Sequence, residues 1–127
     1  MTNLDYICAK IGQNLVENGK DKKENILRKA LGVLQEDGVY AMFLWLEKED
    51  SEIRKKLNSL LNKNEIKSKL LSDSKSFPDD FKEFCRQLQE VAEDIDKLLF
   101  LKKILERTLT YALYHAKIKE EKNVDKN

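Results

Sequence analysis

The stretch ILRKALGVLQEDGVYAMFLWLEKED, residues 26–50, decides the fold. Its first part spaces Ile26, Leu27, Ala30, Leu31 and Leu34 three and four apart, the pattern of an amphipathic helix. Asp37-Gly38 then stops or bends the chain, because Gly adopts backbone conformations that end helices. The run from Val39 to Leu46 is apolar on nearly every side. Its β-branched and aromatic content would suit a strand, but no second strand-like run exists to pair with it. The flanks keep helical spacing, so 39–46 reads as a buried central helix.

Working outward, Leu4, Ile7, Cys8, Ile11 and Leu15 mark a first helix, ended by Asn18-Gly19 and followed by a charged link over 20–24. After residue 50, Asp50 or Ser51 can cap a helix whose apolar face is Ile53, Leu57, Leu60 and Leu61. Asn62 and Asn64 interrupt it, and a short helix with Ile66, Leu70 and Leu71 follows. Residues 72–76 are polar and turn-rich, the best place for a loop. Phe77-Pro78-Asp79-Asp80 reads as a helix start, with Pro in the first turn and carboxylates at the positive end of the dipole. Phe77, Phe81 and Phe84 fall at core spacing.

A single helix over 78–121 would run about 66 Å, against about 30 Å for a compact domain of this size. A break is therefore expected between Leu88 and Ile95. The final helix then carries Leu98, Leu101, Ile104, Leu105, Leu109, Ala112, Leu113 and Ala116, a face broad enough for the central stave of a bundle. The expectation is an all-α fold: one compact helical bundle of six to seven helices over residues 1–121, with a charged, frayed tail over 122–127.

Composition agrees. The 127 residues include 1 Pro and 4 Gly, with 37% charged and 41% hydrophobic, which excludes collagen, a disulfide scaffold and a disordered chain, and leaves too few turn residues for a β-sandwich. A formal net charge of +1 names no partner. The opening MTNLDYICAKIGQNL is no secretory signal, and the longest apolar run is far short of the about 20 residues that span a bilayer. A cytoplasmic protein that does not engage membranes is expected.

Cys8, Cys85 and His115 are too few for a four-ligand zinc site, and the cysteines read as buried thiols of a reducing compartment. The carboxylates fall on helix ends and exposed faces, and no ExxH pair or phosphate-binding glycine loop is present. The expectation is a protein with no catalytic residues, no metal and no cofactor. Tyr40 and Trp45 fall outside the stripe of Val39, Met42, Phe43 and Leu46, so either the helix is buried all round or Tyr40 and Trp45 line a partner surface. Cations cluster at Arg28-Lys29, Arg54-Lys55-Lys56, Lys63-Lys67-Lys69 and Lys102-Lys103-Arg107. Each is a solvated face on its own; two converging in the fold would make a stripe that holds phosphates without reading sequence.

Residues 26–50 resemble the central signature of the small helical subunit of type III-B, or Cmr-type, CRISPR RNA-guided effector complexes. There a helix ends in a polar residue plus Gly, and an apolar helix follows and finishes in a Lys-bearing loop, here Glu47-Lys48. The segment LLFLKKILERTLTYALYHAKIKEE, residues 98–121, is similar to that family's last helix. Two features depart from the family: Leu34-Gln35-Glu36 stands where Pro is frequent, and Phe100 or Leu101 where Trp is usual. The resemblance implies a non-catalytic subunit that stacks in a filament with copies of itself, beside larger subunits of the ribonucleoprotein. It also implies contact with the backbone of crRNA and target RNA in antiviral defence. From the clustering of cations, Arg28, Lys29, Lys102, Lys103 and Arg107 are the candidates for that contact. A protein–protein adaptor or regulator without nucleic acid is the alternative.

Overall fold

A computed structural model describes residues 3–17, 23–72 and 75–125, and of residues 17 and 119–125 the backbone alone. Among these residues the chain forms seven helices and no strand. They are α1 (Leu4–Glu17), α2 (Lys23–Asp37), α3 (Val39–Glu49), α4 (Ser51–Leu61), α5 (Asn64–Leu70), α6 (Phe81–Ala92) and α7 (Ile95–Asp125). The all-α bundle expected from the sequence is what forms. Asn18-Gly19 and parts of 20–24, of 72–76 and of the tail lie outside the described residues.

Short breaks with local causes separate the helices. Gly38 alone divides α2 from α3, at φ 102 and ψ −179, a region open essentially to Gly. Its N–H donates to the carbonyls of Val33 and Leu34, closing the end of α2. Asp50 caps α4 by accepting from the Ile53 N–H at 3.1 Å, and it also binds Lys23 Nζ at 2.6 Å. The break after α6 falls at Glu93-Asp94, inside the expected window. There Asp94 Oδ1 accepts from the N–H groups of Asp96 and Lys97 and starts α7.

Pro78 does not occupy the first turn of α6. The helix begins at Phe81, and Asp80 caps it by accepting from the Glu83 N–H at 3.1 Å. Residues 77–80 instead form an irregular entry held by the polar edge of α4 and its C-cap Asn62. Asn62 brackets Phe77, accepting from its N–H at 2.7 Å and donating to its carbonyl at 2.9 Å. Asn58 Nδ2 donates to the Pro78 carbonyl, and Arg54 Nη1 to that of Asp79.

Helix α7 is the stave on which the rest is built, packing against α1, α2, α3, α5 and α6. Leu101, Ile104, Leu105, Leu109 and Ala112 form its buried side. The α1–α7 contact is close enough to need Gly12: a Cβ there would meet the Thr108 carbonyl oxygen at 2.8 Å and the Ala112 nitrogen at 2.9 Å. At the other end Phe84 is the aromatic hub, with the Phe43 ring edge-on at 4.8 Å and Phe77 and Phe81 beside it.

Candidate nucleic-acid interface

The five cations singled out in the sequence meet different fates. Arg28 turns back on Glu24 at 2.9 Å, and Lys102 lies 4.0 Å from Glu106, one helical turn along. Arg107 is committed to another helix: its Nη1 binds Asp5 Oδ1 at 2.6 Å, while the Tyr111 hydroxyl donates to Asp5 Oδ2 at 2.7 Å. The Tyr111 hydrogen bond, then Arg107, hold the Asp5 carboxyl below the usual aspartate range. Among the described residues, Lys29 and Lys103 have no carboxylate within ion-pair range. Although α2 packs on α7, Arg28 and Arg107 each face an acid of their own rather than one shared anion site.

The cluster at Arg54 is not a surface cluster at all. Arg54 is 3% exposed, binds Glu47 at 3.0 Å, and lies over the rings of Phe81 and Phe84. Its two terminal nitrogens hold α3, α4 and the entry to α6 together while its buried Nε has no partner among the described residues, and only Lys55 and Lys56 of the cluster lie outside.

A different convergence does form. Lys69, on α5, places its ammonium 5.9 Å from the centre of the Phe100 ring on α7. Lys97 and Lys103 stand three residues before and after Phe100, on the same side of that helix. None of the three has a carboxylate partner among the described residues. Asp96, Glu106 and Glu65 stand one helical turn from Phe100, Lys103 and Lys69 respectively, and none of them forms an ion pair with the three lysines among the described residues. An ammonium held beside a ring, with two more near it, suits the phosphates of a nucleic-acid backbone. The signal in the sequence was lysine at both three-residue neighbours of Phe100; the tie to Lys69 is long-range and only the fold supplies it.

The two apolar candidates separate as well. Trp45 is half-buried and packs on the core, whereas Tyr40 is exposed, its hydroxyl accepting from Gln89 Nε2 at 3.2 Å. Leu44, one turn beyond Tyr40, is 45% exposed and widens that flank of α3, a contribution the sequence reading did not single out. Burial pushes the Cys8 and Cys85 thiols up, so both are protonated at neutral pH. Among the described residues no group of three or more His, Cys, Asp or Glu is placed to hold a metal, and no helix is long and apolar enough to cross a membrane. No protein family, curated protein or solved structure matches the chain.

Proposed function

We propose that the chain is a non-catalytic small subunit of a CRISPR RNA-guided effector of the type III-B kind, lying along the guide–target duplex and holding backbone phosphates rather than reading bases. The observation that carries this reading is the patch of Lys69, Lys97 and Lys103 around Phe100. The likeness of residues 26–50 and 98–121 to that family's helix–Gly–helix and final helix gives the patch its context. Three cations per copy give weak binding alone, so stacked copies on one strand would supply the affinity.

The test has two parts. The protein is recovered from its native source with its bound partners, and isolated protein is titrated with a labelled RNA over a range of salt. Large effector subunits and short guide RNAs are expected in the first. In the second, Lys69→Glu with Lys97→Glu should weaken binding and flatten the slope of log affinity against log salt by roughly 1 to 2, as two phosphate contacts are lost. Recovery of other proteins without RNA, together with no measurable RNA affinity, would overturn the proposal. That outcome would favour the adaptor reading, whose own support is the exposed flank of Tyr40 and Leu44 on α3.

A further inference from the structure

The ends of α2 and α6 and the start of α7 gather at one end of the bundle. The Gln89 amide donates to the Tyr40 hydroxyl at 3.2 Å, which sets the last turn of α6 beside the first turn of α3. Gly38 alone separates α3 from the end of α2, and Glu93-Asp94 leads from α6 into α7. Two apolar side chains stand open there. Ile95 and Leu99, four residues apart and so on one side of α7, are 64% and 57% exposed. Glu36 and Asp37 at the end of α2, Glu90 and Glu93 at the end of α6, and Asp96 on α7 are all exposed around this end. None of the five forms an ion pair among the described residues, whereas Glu24, Glu47 and Asp50 elsewhere each hold a Lys or Arg.

These acids work against the fold. The C-terminus of a helix is the negative end of its dipole and favours cations, yet the last turns of α2 and α6 carry no basic residue. We infer that this end of the bundle docks a Lys- or Arg-rich segment of another protein. An apolar side chain of that segment seats on Ile95 and Leu99, and its cations lie over the five carboxylates. Charge complementarity selects this occupant, because the same acids repel RNA and anionic lipid. Among the described residues no three acids are placed to hold a metal, so the charge is spread to match a row of cations rather than one ion. Lys97 and Lys103, which stand by Phe100, bound the acidic surface along α7.

Exposed ion pairs contribute little singly, so the apolar seat sets the affinity while the acids set which partner is admitted. The inference does not rest on the proposed function, since the patch around Phe100 takes anions and this end takes cations.

Fluorescence anisotropy with labelled synthetic helical peptides of about 14 residues reads the binding. One peptide carries Leu along one face and Lys along the other, a second replaces each Lys by Glu, and a third replaces each Leu by Ser. The Leu–Lys peptide should bind the protein, more weakly as salt rises. The Leu–Glu peptide should not bind, and the Ser–Lys peptide should bind about tenfold more weakly. Ile95→Ser with Leu99→Ser should weaken the Leu–Lys peptide by about tenfold, with helicity and melting kept because both side chains are exposed. Glu90→Lys should weaken it by about two- to fivefold and leave melting unchanged or raised, since a cation suits the end of α6. Glu49→Lys, at the far end of α3, should leave the binding unchanged. No binding at low salt, equal binding of the Leu–Glu peptide, or equal losses in Glu49→Lys and Glu90→Lys would each overturn the inference. Self-association of the protein alone that Ile95→Ser with Leu99→Ser abolishes would assign the face to a second copy and overturn it equally.

Discussion

Gly12 and Gly32 show how differently one residue type acts at two places in the same bundle. At Gly12 the missing side chain is what lets α1 approach α7, since a Cβ would fall 2.8–2.9 Å from backbone atoms of Thr108 and Ala112. Backbone cannot swing aside as a side-chain tip can, so the helices must separate. Gly12→Ala should therefore destabilise the protein by about 1–3 kcal/mol, the usual range for overpacking. Gly32, inside α2, has nothing within 4 Å of an added Cβ. Gly32→Ala should stabilise by about 0.5–1 kcal/mol through the lower backbone entropy of the unfolded chain. Urea denaturation of the two variants checks both signs. A glycine within a helical pattern signals a cost that something must offset, but the atoms that crowd Gly12 belong to the far end of the chain, and spacing does not reveal them.

At the scale of elements, legibility followed local signals. The apolar spacing of α1 to α5, the stop at Gly38 and the cap at Asp50 arise from interactions a few residues apart, and the sequence announces them, whereas the break before Ile95 follows from the length of an unbroken helix set against the size of the domain. The polar edge of α4 does not announce itself. Arg54, Asn58 and Asn62 are spaced one turn apart, as a solvated face would be, yet they hold an irregular segment that has no periodicity to match. Asn62 is the sharpest case, because it satisfies both the N–H and the carbonyl of Phe77, a residue only 2% exposed. Asn62→Ala should cost about 2–4 kcal/mol, the penalty for leaving two backbone groups unpaired away from water. Asn62→Asp keeps the acceptor and loses the donor, and should fall between Ala and the native residue in a thermal-denaturation series.

Across the whole molecule, the two ends of the fold are joined at Asp5, Arg107 and Tyr111, residues 102 and 106 positions apart in the pairs they form. This is why the candidate interface was only half legible: Arg107 looks like a surface cation in sequence, and its anion arrives from α1. Arg107→Glu would set a carboxylate against Asp5 and disturb the bundle, so Lys69 and Lys97 are the cleaner probes of nucleic-acid contact. The join also carries a pH dependence with a definite sign. The carboxyl of Asp5 titrates below its unfolded value because the Tyr111 hydroxyl and then the Arg107 guanidinium favour the carboxylate. Its contribution is present above the ordinary aspartate value of about 3.9 and is lost as pH falls through the depressed folded value. The same hydrogen bond raises the Tyr111 hydroxyl, so that contribution is full below the ordinary tyrosine value of about 10 and is lost as pH rises through the higher folded value. Asp5→Asn removes the charge from both limbs. Relative to the native chain, its melting temperature should be lower at neutral pH. The gap should narrow in acid below the aspartate range and again in alkali above the tyrosine range, and a gap that stays constant across the scan would assign no stabilising role to this join.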